Sequence, residues 1–166
     1  MAGINTAKVT DRRKIRFDSM DDLLADIERI VAADRDGNLR RTGNWTAGQA
    51  LGHVATWIDY AYEGYPFHGV PWFVKLILKL KKKSYLQKGM QAGIRIPKTE
   101  GGTYGTQALK VEEGADRLRK ALARLKSGEP ARFESPAWGK MPYNERVALN
   151  LRHAELHLSF LHPGSA

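Results

Sequence analysis

Four stretches of the chain repeat apolar residues at intervals of three and four, which predicts four amphipathic helices. The first begins after Ser19, where Asp22 completes a variant of the capping box three residues later. It ends at the turn Asp36-Gly37-Asn38. A single apolar stripe runs along this helix, formed by Leu23, Leu24, Ile27, Ile30 and Val31.

The other three helices follow from the same kind of pattern. The second is predicted to begin after Asn44-Trp45-Thr46 and to close at Gly64 and Pro66. The third is predicted from about Thr106 to Lys126, and the last from about Pro142 to Leu161. The last helix is apolar around much of its circumference, so we expect it to be deeply buried.

A long connection, residues 65–104, separates the second and third helices and contains one predicted short helix near Trp72 to Tyr85. Residues 1–16 are predicted to form an extended leader. Outside a short stretch around Phe133 to Trp138, the chain shows almost no strand-like alternation. Residues 1–166 are therefore predicted to form one all-α domain, a four-helix bundle with a long, partly helical connection.

Composition narrows the chemistry, because the 166 residues include no cysteine. Disulfides, thiolate ligands and cysteine nucleophiles are excluded, so a metal ion would have to be bound by His, Asp or Glu. The stretch from Met1 to Thr10 lacks the apolar segment of a signal peptide, and we therefore expect a cytoplasmic protein.

The net charge of +9 raises the question of an anionic partner. Six lysines lie between Lys75 and Lys88 among apolar residues, a pattern compatible with a basic amphipathic helix on anionic lipid. We favour the alternative that this helix packs over the open end of the bundle with its lysines in water. No nucleic-acid-binding module accompanies the charge, so nucleic acid is not expected as a partner.

His153 and His157 carry the strongest chemical signal. Four residues apart on one helix, they are separated by about 6 Å along the axis and share a face, so both imidazoles can reach one metal ion. Two partly exposed histidines, or a hydrogen-bonded core pair, would show the same spacing. Glu155 points away from the shared face and is not assigned as a general base.

His53, on the second helix, would supply a third ligand if the second and last helices pack together. When His53 is considered alone, the alternative is a core histidine whose ring nitrogens are hydrogen-bonded within the protein and bind no metal ion. Gln49 and Trp57 lie at helical spacings from His53, and we include them as pocket candidates together with His68 of the connection.

The pattern Trp45-Thr46-x-x-Gln49-x-x-x-His53, with His153-x-x-x-His157 on the last helix, resembles the DinB-like (DNA-damage-inducible) superfamily of metal-binding four-helix bundles. The resemblance extends from about Ile15 to Leu161 and is greatest to a branch of uncharacterised function. It implies that the three histidines bind a divalent ion, with zinc or nickel foremost and iron or manganese as further candidates. Leu156, Ser159 and Phe160 depart from that branch, which has a further histidine and an Arg-Gln pair at these places.

Some members of that superfamily transfer low-molecular-weight thiols or hydrolyse small molecules, so the resemblance implies a metal-dependent hydrolase or thiol transferase with a small-molecule ligand. Three imidazoles leave a coordination position open, as in catalytic zinc sites. A non-catalytic metal- or small-ligand-binding bundle and a basic peripheral membrane-surface module are the alternatives. A homodimer also stays open, because bundles of this kind often pair.

Overall fold

The protein is mainly helical in a computed structural model that describes residues 3–67, 71–96 and 99–164. These residues contain five α-helices and one pair of short strands. In chain order the elements are α1 (Met20–Arg35), β1 (Leu39–Arg41), α2 (Ala47–Glu63), α3 (Trp72–Lys88), α4 (Val111–Lys126), α5 (Tyr143–Leu158) and β2 (Leu161–Pro163). Single 3-10 turns lie at Thr6–Lys8, within the leader that was predicted to be extended, and at Glu100–Gly102.

Two capping boxes fix where α1 and α2 begin. The Ser19 hydroxyl accepts from the Asp22 N–H, while the Asp22 carboxylate accepts from the Ser19 N–H. Thr46 and Gln49 make the equivalent reciprocal pair at the start of α2. Each box satisfies donors that a helix N-terminus otherwise leaves unpaired. The predicted starts of the first two helices are confirmed.

One core is formed by buried side chains of α1, α2, α4 and α5, with Phe17 of the leader and Leu161 of β2. Helix α3 contributes no buried residue and packs mainly against α5. Of the described helices, none has the length and apolar character needed to cross a membrane.

The structure corrects one end of each of the two later helices, the start of α4 and the end of α5. Helix α4 begins at Val111, and the preceding residues 106–110 are irregular, so the connection after α2 is longer than predicted. Helix α5 ends at Leu158, and Leu161–Pro163 instead forms a strand that pairs antiparallel with Leu39–Arg41. The predicted all-α class is confirmed, and this pair of three-residue strands is the one regular β element among the described residues.

Glycines allow the irregular segment and α4 to approach α2 closely. A Cβ atom on Gly48 would collide with the carbonyl oxygen of Leu109, and a Cβ on Gly114 would lie 2.5 Å from the Gly48 carbonyl oxygen. A Cβ on Gly52 would meet only the end of the Leu109 side chain, also at 2.5 Å. The stretch from Tyr104 to Lys110 is thereby held along the helix that carries His53.

Buried charges attach the leader to α1 and α5. The Glu155 carboxylate accepts from the Phe17 N–H at 2.7 Å and pairs with Arg152 at 2.7 Å, while the Arg152 guanidinium also donates to the Phe17 carbonyl. Arg13 donates two hydrogen bonds of 2.8 Å to the fully buried Asp26. Glu155 therefore has a structural role on the far side of α5, in agreement with its predicted orientation.

We predict that Gly48→Ala lowers the free energy of unfolding by about 3 kcal/mol, because the new methyl group forces backbone apart. Gly52→Ala is the matched control. There only a flexible leucine side chain must move and alanine gains helix propensity, so the change should stay within about 1 kcal/mol. Urea unfolding followed by circular dichroism measures both. Equal losses in the two variants would contradict the close approach at Gly48.

Candidate metal centre

The three predicted ligands come together in the structure. His53 lies in the second turn of α2, and His153 and His157 lie one turn apart in the second half of α5. The Nε2 atom of His153 is 3.2 Å from that of His53 and 3.1 Å from that of His157. One ring nitrogen from each of the three residues lies within 4.8 Å of the others. The cluster joins two helices that are about a hundred residues apart in sequence.

The orientation of the His53 ring is set by the backbone of the segment that lies along α2. Its Nδ1 atom is 2.9 Å from the carbonyl oxygen of Tyr104. A carbonyl oxygen can only accept, so Nδ1 carries the proton, and in the neutral ring the Nε2 lone pair is free and points at the other two histidines. Such an outer hydrogen bond is the usual way in which a ligating imidazole is held in the correct tautomer.

Hydrogen bonding within the cluster cannot satisfy every short contact. His53 Nε2 has no proton in the neutral ring, and His153 Nε2 faces two other Nε2 atoms. If His153 is protonated there, one proton must serve two acceptors. If it is not, its lone pair faces that of His53. A cation among the three nitrogens removes the conflict, since all three lone pairs then point at positive charge.

The two short contacts to His153 are close to the spacing that coordination requires. Bonds of 2.0–2.1 Å to a tetrahedral ion place ligand nitrogens about 3.3 Å apart, and these contacts are 3.1 and 3.2 Å. Burial keeps the rings neutral: it lowers the pKa of His53 to about 4 and those of His153 and His157 well below the ordinary value. Neutral imidazole is the form that binds metal ions.

Two indole rings flank the cluster. Trp45 stacks on His157 with ring centroids 5.0 Å apart and also contacts His53 at 4.7 Å. Trp57 packs against His53 at 6.0 Å and His153 at 5.7 Å. The buried Nε1 atom of Trp57 has no hydrogen-bond partner within the described part of the chain. An unpaired buried donor beside the histidines suits a polar atom of a bound ligand.

The cluster opens into a cavity of about 1210 Å³ with a largely apolar lining. Its walls come from α2, α3, α5, the leader, the loops on either side of α3 and the loop between α4 and α5. The aromatic side chains that line it include Trp45, Trp57, Tyr65, Phe67, Tyr85 and Trp138. Leu149 and Leu156 of α5 also face this space and are only half-buried. The last helix is therefore less buried than predicted, because one face lines a cavity.

Residues 9–164 match the family model described as "Protein of unknown function (DUF1569)". The chain belongs to the DUF1569 family. No curated protein and no solved structure matches it.

The outcome differs among the three residues predicted to line a pocket in this DUF1569 protein. Trp57 lines the cavity. Gln49 does not line it and instead caps α2, and its amide also donates to the Thr106 carbonyl at 3.4 Å. His68 lies outside the described residues. The Tyr104 carbonyl and the stacked position of Trp45 were not predicted, although the Trp45-Thr46 dipeptide beside a capping box marked where such a ring would sit.

We predict that His53 in the metal-free protein is neutral at pH 6 with its proton on Nδ1. Free histidine titrates near pH 6.5, whereas burial lowers the pKa of this ring to about 4. The unfolded chain binds the proton first as the pH falls from 6.5 to about 4, so stability is lost across that window. Nitrogen-15 NMR of labelled histidine and melting temperatures against pH test this. A His53 ring that titrates near 6.5, or carries its proton on Nε2, would contradict it.

Proposed function

We propose that the protein binds one divalent transition-metal ion through His53, His153 and His157 and uses it on a small apolar substrate. The supporting observation is that His153 Nε2 lies 3.2 Å from His53 Nε2 and 3.1 Å from His157 Nε2, with the His53 tautomer fixed by the Tyr104 carbonyl. Nitrogen ligands suit zinc and nickel, and also iron and manganese.

A divalent ion held by these histidines would supply Lewis acidity and would activate water or a thiol at neutral pH. The chain's own residues provide the remaining features. The Trp45 and Trp57 rings restrict water around the histidines, and Trp57 Nε1 offers a hydrogen bond to the substrate. His53, His153 and His157 would hold the ion, and three protein ligands would leave a coordination position for a substrate atom. We infer a metal-dependent hydrolase or a transferase of low-molecular-weight thiols.

The architecture supports this proposal through the DinB-like resemblance. In our interpretation α1, α2, α4 and α5 correspond to the four helices of a DinB-like bundle, with α3 as an insertion in the connection between the second and third. The metal site of a DinB-like bundle would then lie between its second and last helices. In this protein those helices are α2 and α5, which bring the histidines together. This assignment remains part of the proposal.

The cavity indicates what kind of substrate the site accepts. It is larger than the 300–1,000 Å³ typical of small-molecule sites and is lined mainly by aromatic and aliphatic side chains. Its polar groups include Asn150 and Arg146, whose guanidinium donates to the Glu129 carbonyl at 3.2 Å. A substrate with an extended apolar part and a polar or anionic end fits this distribution.

A carrier without catalysis is the second candidate function. The size of the cavity favours it, because such a volume can hold a whole apolar ligand with the metal ion serving only to bind its polar end. Leu156, Ser159 and Phe160 also stand where the resembling branch has polar residues.

We predict about one divalent ion per chain in protein purified without chelators, and its loss in His157→Ala. Removing a ligand should weaken affinity by more than the 10- to 100-fold that loss of an outer hydrogen-bond partner typically costs. His162→Ala is the matched control, since that imidazole lies in β2 beside Arg40 and Thr42, outside the cluster. Elemental analysis after dialysis measures the ion. Equal metal content in both variants, or none in the native protein, would refute the metal site.

We further predict that the metal-loaded protein hydrolyses an apolar aryl ester or joins a small thiol to an apolar electrophile. Trp57→Phe keeps an aromatic ring but removes the indole N–H, so KM should rise about fivefold, the value of one hydrogen bond. Initial rates with and without metal test this. Metal-dependent turnover excludes the carrier, whereas metal-dependent ligand binding without turnover across both reaction types would favour it.

A further inference from the structure

Helix α3 carries a set of large apolar side chains that the rest of the described protein does not cover. Trp72 and Leu80 are each 78% exposed, and Phe73, Leu76 and Ile77 are 51–53% exposed. An exposed cluster of this kind on one element marks an interaction surface. Helix α3 packs against α5, yet these five apolar side chains remain exposed.

The five side chains form one continuous stripe. At about 100° per residue they span about 140° of the helix circumference, centred near Leu76 and Leu80. The opposite face carries the residues that anchor α3 to the protein. Trp138 Nε1 donates to the Leu78 carbonyl at 2.9 Å, Lys82 pairs with Glu145 at 2.5 Å, and Tyr85 contacts the Trp138 ring at 6.0 Å. The apolar stripe consequently faces directly away from the protein.

Lysines border the stripe on both sides. Helix α3 contains six lysines and no acidic residue. By the same helical geometry, Lys75 and Lys79 lie along one edge of the stripe and Lys81 and Lys88 along the other, and all four are exposed. Lysine stems can lie along an apolar surface while their ammonium groups reach outwards to anionic groups.

We propose that α3 docks this protein on an anionic membrane surface. An interfacial helix requires an apolar face that enters the boundary between headgroups and acyl chains, with lysines at the level of the headgroups. The stripe and its two lysine edges supply both. The helix would lie in the plane of the membrane surface rather than cross it.

The charge distribution favours lipid over other occupants. A second copy of the chain would bring two lysine-edged stripes together, with the four edge lysines of each helix facing those of the other and no acidic residue on either helix. Nucleic acid would be attracted to the lysines but would leave the apolar stripe without a partner. An anionic bilayer complements the apolar side chains and the charge together.

The docking helix is also a wall of the cavity, because Leu78 and Tyr85 line it. Docking would therefore bring the cavity wall next to the membrane, where apolar molecules concentrate. The docking proposal does not depend on the metal site, so the two can fail separately.

Vesicle co-sedimentation of the full chain tests the proposal, with phosphatidylcholine vesicles that contain or lack phosphatidylserine. The native protein should pellet only with the anionic vesicles, and less at high salt. Lys75→Gln/Lys79→Gln should weaken the association about 25-fold, because each lysine contributes about fivefold. Leu76→Gln/Leu80→Gln should weaken it about tenfold or more. Both double variants should keep the native melting temperature, because all four side chains are exposed.

The matched control is Lys110→Gln/Lys120→Gln, which lowers the net charge equally at exposed positions outside α3. It should retain nearly all of the association. Comparable weakening in this control would overturn α3 as the docking surface, as would equal pelleting with neutral vesicles or none with either. Self-association that Leu80→Gln abolishes, without any vesicle binding, would assign the stripe to a second copy and overturn the lipid proposal.

Discussion

Three imidazole lone pairs directed at one another inside a protein repel unless positive charge lies between them. In this chain the Tyr104 carbonyl holds the His53 proton on Nδ1, so the Nε2 lone pair must face His153, which in turn faces His157. Burial at the same time opposes protonation of any of the rings. A bound divalent ion satisfies both conditions, and the proposed function rests on this arrangement.

The fold maintains the arrangement from both sides. Gly48 lets the segment that carries Tyr104 pass close to α2, and Gly114 lets α4 approach the same helix, so a backbone carbonyl reaches the His53 ring. On α5, Glu155 and Arg152 attach the far side of the helix to the leader at Phe17. The histidine face of α5 is thus left to line the cavity. Elements remote from the site therefore determine where its nitrogens lie.

Local signals in the sequence predicted much of this and failed where structure depends on distant contacts. Capping residues predicted the starts of α1 and α2, and the spacing of His153 and His157 predicted a shared helix face. The apolar pattern before Val111 and after Leu158 continued the helical period, yet those residues pack along α2 and pair with β1 instead. The partner strand at Leu39–Arg41 is three residues long and far away in sequence, so periodicity does not reveal it.

Helix α3 was predicted from the sequence, but the direction of its apolar stripe was not. The stripe faces outwards because Trp138 and Glu145 hold the opposite face of the helix.

The chain thus combines two features on adjoining elements: a histidine cluster at one end of an aromatic cavity, and a basic apolar helix that forms part of the cavity wall. The first is central to the account. X-ray absorption spectroscopy of the zinc-loaded protein tests it most directly, because it reports the number and kind of atoms around the ion. We expect three imidazole nitrogens at about 2.0–2.1 Å, with one oxygen ligand completing the shell. A shell made only of oxygen atoms, or an imidazole signal unchanged in His153→Ala, would contradict the account.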